Sequence, residues 1–174
     1  MLEKQRKKNN SNRLLYSVTF IGFLPLVCIF ILSVLNQHNT FLNAIYFKVQ
    51  NLPAITSSYN LFMTRIMDLY CKGAPLLALF IFALKDRSTL TIETKERDKL
   101  LTAAVCSPFL YGLYIYFFLF NNIELMTAGR PINLVSENNF TLLIFYCCLY
   151  FSSLFMTYGM CYVPVLFHRL LKQR

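Results

Sequence analysis

Three apolar runs constrain this chain more than anything else in it: "LLYSVTFIGFLPLVCIFILSVL" (14–35), "LLTAAVCSPFLYGLYIYFFLF" (100–120) and "FTLLIFYCCLYFSSLFMTYGMCYVPVLF" (140–167). None carries a Lys, Arg, Asp or Glu. A bilayer core of about 30 Å takes about 20 apolar residues of helix, and each run meets that length. In lipid the backbone must satisfy its own hydrogen bonds, so runs like these are read as helices. With 56% of residues hydrophobic and 14% charged, the excess apolar content sits in blocks, as in a membrane protein.

A fourth run is weaker. "GAPLLALFIFAL" (73–84) covers only roughly 18 Å as helix, and "MTRIMDLYCK" before it brings in Arg65, Asp68 and Lys72. Starting the span at Ile66 gives enough length, but it draws Asp68 and Lys72 toward the membrane. At i,i+3 and i,i+4 the three charges share one face. Side chains lean toward the helix N-terminus, so Lys72 is expected to snorkel back to the headgroups, while Asp68 sits near the positive end of the helix dipole. The plain reading is a self-neutralised helix end that sets the depth of the second span. The sharper one is a polar docking point for something approaching from outside.

The expected fold is an all-α integral membrane protein, a four-transmembrane-helix bundle with N- and C-termini cytoplasmic. Its single domain, 1–174, divides into a basic leader 1–13, spans at 14–35, 66–84, 100–120 and 140–167, outward connections at 36–65 and 121–139, an inward connection at 85–99 and a tail at 168–174. Orientation follows from the cations. Thirteen of the seventeen Lys and Arg residues lie in the leader, the 85–99 connection and the tail, and cytoplasmic segments hold that excess. The net charge of +9 is then mostly topology. Because the cations sit at span ends and alternate with Asp86, Glu93, Glu96 and Asp98 in the connection, no nucleic-acid partner is expected. The first run follows a basic leader but is longer than a secretory core, and "NQHNT" after it offers no cleavage site, so it reads as an uncleaved anchor.

Chemistry is sparse. Five of the six cysteines fall inside spans, where Cys acts as a small hydrophobe, and Cys71 has no evident loop partner. His38 and His168 lie at opposite ends of the topology and cannot share a metal. No zincin, nucleophile-elbow or phosphate-loop motif occurs, and no carboxylate sits mid-span to relay a proton. Neither a catalytic site, a metal nor a cofactor is expected, and binding is the surviving mode of action.

Some detail is readable in the segments themselves. Leu42, Ile45, Val49 and Leu52 recur at helical spacing, which predicts a helix lying flat at the interface. In "LPAITSSYN", Pro53 breaks the helix, and the Thr-Ser-Ser cluster and Asn60 offer caps for the next one. Gly129, Arg130 and Pro131 predict a turn. Every span holds one proline (Pro25, Pro75, Pro108, Pro164), read as kinks in a compact bundle with hinges as the alternative. Small residues in "TAAVCSP" (102–108), with Gly112 beyond, permit close helix approach. Tyr146, Tyr150, Ser153 and Thr157 form a polar stripe on one face, expected to bond across to other helices. Both features are read first as bundle packing, second as a face left open for another protein's helix.

"NLPAITSSYN", "MTRIMDLYCKGAP" and "LMTAGRP", with the anchor "IGFLPLVCIF", resemble the immunity proteins against A-type pore-forming colicins, in order and over nearly the whole chain. The members for colicins A, U and Y resemble it more than those for colicins B and N. The chain departs from that pattern at Leu61, Arg65 and Gly73, which leaves open the toxin recognised. The resemblance implies a bacterial inner-membrane protein that binds the pore-forming domain of its cognate colicin, with the toxin's hydrophobic helical hairpin as partner, and prevents channel opening. It places the lipid bilayer around the chain, and a homodimer stays open. The expected recognition residues are Arg65, Asp68, Lys72, Ala104, Ser107, Phe109, Gly112 and Arg130. The competing readings are a small four-span transporter or channel subunit, which solute flux in proteoliposomes would reveal, and a tetraspan scaffold, which would co-purify with a housekeeping complex.

Overall fold

The computed structural model describes residues 2–35, 40–84 and 97–172. The side chains behind the orientation argument, in the leader, the 85–99 connection and the tail, lie outside what it describes, as does His38. In chain order the elements are α1 (Leu2–Leu35), α2 (Thr40–Val49), β1 (Ile55–Thr56), α3 (Leu61–Leu84), α4 (Arg97–Ile115), β2 (Ile123–Glu124), α5 (Arg130–Ser136) and α6 (Asn139–Lys172). α4 runs on through a π-helical turn, Tyr116–Phe120. Short 3₁₀ turns precede α3 and follow β2.

Three of the described helical stretches, Ser58–Leu84, Leu101–Phe120 and Asn139–His168, are long and apolar enough to cross a membrane, and α1 with α2 adds a fourth if the pair is one span. All four span prolines lie inside helices that continue on both sides of them. Helix α3 begins at Leu61, so Arg65 already sits in its second turn rather than in the preceding connection. Asn60 caps it: its Oδ1 accepts the Met63 N–H at 3.1 Å.

The core lies between α3 and α6. Met63, Met67, Cys71, Ala74, Ala78 and Ile81 recur every three or four residues and are all buried, against Leu142, Tyr146, Tyr150 and Leu154 of α6. Small side chains on α3 thus face large ones on α6, which lets two helices pack closely where water supplies no drive. The helices run in the same direction: Asn60 donates to Asn139 at their start, and Phe82 meets Tyr158 edge-on further along. α1 packs on the same pair, with Phe23 stacked on Phe151 and the Tyr70 hydroxyl donating to the Gly22 carbonyl.

α4 is the outermost helix. Only 6% of its Leu101–Phe120 window is buried, against 39% and 33% for the α3 and α6 windows. It rests on α6 through a polar seam, where the Tyr111 hydroxyl and Thr157 Oγ1 are 3.1 Å apart. The expected stripe on α6 is buried throughout, but of its hydroxyls only Thr157 bonds across to another helix; Tyr146 reaches the Ile55 carbonyl of the ladder, and the Tyr150 and Ser153 hydroxyls find no hydrogen-bond partner among the described residues.

Two expectations change. The amphipathic helix α2 forms, but its Leu42, Ile45 and Val49 stripe turns toward the protein: Leu42 is buried, and Tyr46 meets Phe62 of α3. Phe41 and Phe47 are what it leaves outward. The fold is also not wholly α: Ile55–Thr56 pairs with Ile123–Glu124 as a two-residue parallel ladder. Pro53 keeps the first segment extended, and the two connections then satisfy each other's backbone groups.

Candidate functional site

The ladder, α2 and α5 gather at one end of the bundle, as a cap over the N-termini of α3 and α6. The cap is held by charge from below. Lys72 Nζ pairs with Asp68 Oδ2 at 2.8 Å, and the same ammonium donates to the Pro53 carbonyl. Arg65 donates to the Gln50 carbonyl. Asp68 is only 1% exposed. Lys72 runs back toward the start of α3, where a buried carboxylate and a loop carbonyl take up its N–H groups. Its ammonium also sits 5.8 Å from the centre of the Phe118 ring. The three charges form a bracket between α3 and the segment at 50–53.

From above, the cap is stitched across its two connections. Glu124 Oε1 accepts the Ser58 N–H at 2.7 Å and the Ser58 hydroxyl at 3.0 Å, and its Oε2 accepts the Thr56 hydroxyl at 3.3 Å. Ala54 donates its N–H to Asn122 Oδ1 at 3.0 Å and accepts the Ile123 N–H at 3.1 Å. Ser57 Oγ donates to the Ser136 carbonyl at 3.0 Å. The buried Tyr146 hydroxyl donates to the Ile55 carbonyl at 2.6 Å, tying the ladder to α6. Gly129 opens α5 at φ 115 and ψ 160, a conformation nearly confined to glycine, and Pro131 follows in the first turn. Arg130 stands exposed beside it.

The remaining expected recognition residues lie on α4, where the structure sorts them onto two faces. Ala104 and Ser107 are half-buried and share the side of Tyr111 and Tyr114, toward α6. Phe109, 70% exposed, and Gly112 point away from the bundle, in line with exposed Val105 and Tyr116. A Cβ added at Gly112 would meet nothing within 4 Å. Gly112 is thus no contact within the bundle; it leaves a notch in an outward apolar stripe. The eight residues divide into a bracket around the buried Asp68 (with half-buried Arg65 and Lys72), a seam (Ala104, Ser107), an outward stripe (Phe109, Gly112) and an exposed cation on the cap (Arg130). Glu124 escaped the sequence reading. Its only signal was being an acidic residue in a connection otherwise poor in charge.

Among the described residues no group of three His, Cys, Asp or Glu side chains could hold a metal ion. Cys71 is buried, with its thiol donating to the Tyr146 carbonyl at 3.3 Å.

These features define a helical membrane protein whose charged and polar side chains brace one end of the bundle and whose helix α4, seated on α6 along one seam, leaves most of its surface exposed. Comparison with known proteins makes the assignment specific. Residues 38–174 match the family model described as colicin immunity protein, and the chain belongs to that family. It is 43% identical over 169 residues to the colicin-A immunity protein of Citrobacter freundii, covering 97% of this chain and 93% of that one. It is 35% identical over 174 residues to the colicin-B immunity protein of Escherichia coli, covering 100% and 99%. No solved structure matches.

Proposed function

We propose that this chain lies in the bacterial inner membrane as four spans, with both termini cytoplasmic and the cap toward the periplasm. There it protects its host by binding the pore-forming domain of a cognate A-type colicin and holding the channel shut. It acts by association alone, with no catalytic step.

The observation that carries this reading is the outward stripe of α4, in a chain that belongs to the colicin immunity proteins. Val105, Phe109, Gly112 and Tyr116 recur at spacings of four, three and four and form one continuous face. Within lipid, helices associate by close packing rather than by hydrophobic burial, and a glycine notch flanked by large side chains suits that contact. The toxin's hydrophobic hairpin is the occupant of this face. Arg130 at the cap adds an exposed charge, which favours right partners and rejects wrong ones. Arg65, Asp68 and Lys72 contribute indirectly, by fixing the cap that stands over α3.

Producing the chain alone in colicin-sensitive cells tests the reading. Protection against at least one A-type pore-forming colicin is expected, read as the lowest toxin dose that still kills. Undiminished killing by every member of the panel would remove it.

A further inference from the structure

Residues 50–60 and 121–137 lie far apart in sequence, yet several polar contacts of the cap run between them. Glu124 is the hub. One carboxylate takes three donors from the first connection, the Ser58 N–H, the Ser58 hydroxyl and the Thr56 hydroxyl. Hydrogen bonds to an ionised acceptor are about twice as strong as neutral ones. A two-residue ladder alone is marginal, since short isolated strand pairs do not hold in water. Without Glu124, what remains between the two connections is backbone pairing, the Asn122 amide and the Ser57 hydroxyl on the Ser136 carbonyl.

We infer that Glu124 is a positioning residue which locks the two connections into one rigid recognition surface, so that the toxin reads residues of both together. The inference rests on the reading under Proposed function. Tyr59 and Leu61 stand exposed on the first side of the lock, and Arg130 and Leu134 on the second. None of the four touches Glu124 in a hydrogen bond, so its effect on them passes through Ser58 and β1. A preorganised surface binds more tightly because less ordering remains for the encounter.

The test compares Glu124→Ala and Glu124→Gln with the natural chain in the protection assay, at matched amounts in the membrane. Glu124→Ala is expected to lower the tolerated toxin dose by roughly tenfold, the equivalent of one charge-assisted hydrogen bond. Glu124→Gln is expected to keep most of the protection, because its carbonyl still accepts from Ser58 and its amide can donate to the Thr56 hydroxyl. Ala54 and Asn122 face each other beside the ladder. A disulfide from Ala54→Cys with Asn122→Cys is expected to restore protection to Glu124→Ala once oxidised and to lose that rescue on reduction. A general loss of structure would not show this dependence on the cross-link. Full protection by Glu124→Ala, or loss that the oxidised cross-link does not restore, overturns the inference. If Glu124→Ala does not reach the membrane, exchange with the colicin-A relative decides. Replacing 50–60 and 121–137 together should change the protected toxin where neither alone does, and any other pattern overturns the proposal. The natural chain protecting in the same assay separates failure of the lock from failure of the functional reading.

Discussion

Replacing Lys72 with Met should strip the buried Asp68 of its partner and cost this protein several kcal/mol, about 3–5, of stability. Asp68 is 1% exposed and its nearest cation is the Lys72 ammonium, 2.8 Å from Oδ2. Breaking a buried pair by removing one partner costs about 3–5 kcal/mol, because the other charge is left without compensation. Arg65 lies one turn away and keeps some attraction for Asp68, so the figure belongs at the low end, about 3 kcal/mol. Losing the donor to the Pro53 carbonyl adds about 1 kcal/mol. Removing both charges, Asp68→Asn with Lys72→Met, leaves neutral groups of similar size, and the double variant should lie within about 2 kcal/mol of the natural protein. The double variant should then be about 2 kcal/mol more stable than Lys72→Met alone, well above the error of such a comparison. Denaturation of the purified protein in mixed micelles by rising detergent denaturant, followed by helix content, gives all four corners. Lys72→Met within about 0.5 kcal/mol of the natural protein, or a double variant no more stable than Lys72→Met, would refute the bracket.

Other outcomes follow from single contacts. Gly22→Ala places a Cβ on the Tyr150 hydroxyl, which finds no hydrogen-bond partner among the described residues; it should destabilise by about 1–3 kcal/mol in the same denaturation assay, and Tyr150→Phe in that background should recover most of the loss. Tyr146→Phe removes the donor to the Ile55 carbonyl and should cost about 1–2 kcal/mol. Gly129→Ala, forced to φ 115, should cost about 1–3 kcal/mol and loosen α5, read as faster proteolysis of the 121–137 connection. Phe109→Ala and Gly112→Leu should leave stability within about 0.5 kcal/mol, since neither position packs inside the bundle, while lowering protection in the killing assay. Exchanging 102–112 and 61–75 with a relative's segments should shift which colicin is resisted, and exchanging 85–99 should not.

What the sequence showed, it showed through periodicity and exclusion. The long helices were readable because a charge-free run of that length has few other fates. The α6 stripe was readable from the spacing of Tyr146, Tyr150, Ser153 and Thr157, and the start of α3 from Asn60. The cap was not. Ile55–Thr56 and Ile123–Glu124 are too short to show alternation, and a pairing across 68 residues leaves no local trace. The partners of Lys72 were not legible for the same reason: that its ammonium meets the Pro53 carbonyl depends on where Pro53 lies in space. The stripe of α2 was found but assigned the wrong neighbour, since an apolar face looks alike whether it meets lipid or α3. On α4 the spacing identified small and aromatic residues, while only packing against α6 separated Ala104 and Ser107 from Phe109 and Gly112.

The central claim is that the outward face of α4 receives the toxin within the membrane. Photo-crosslinking measures it most directly, with a photoreactive residue placed at Phe109, at Gly112 and, as control, at Leu84 at the far end of α3, in cells challenged with a colicin they resist. Adducts with the toxin's pore-forming domain from Phe109 and Gly112, and none from Leu84, are the predicted result. Protected cells with no adduct from either α4 position, or with equal adducts from Leu84, would contradict it.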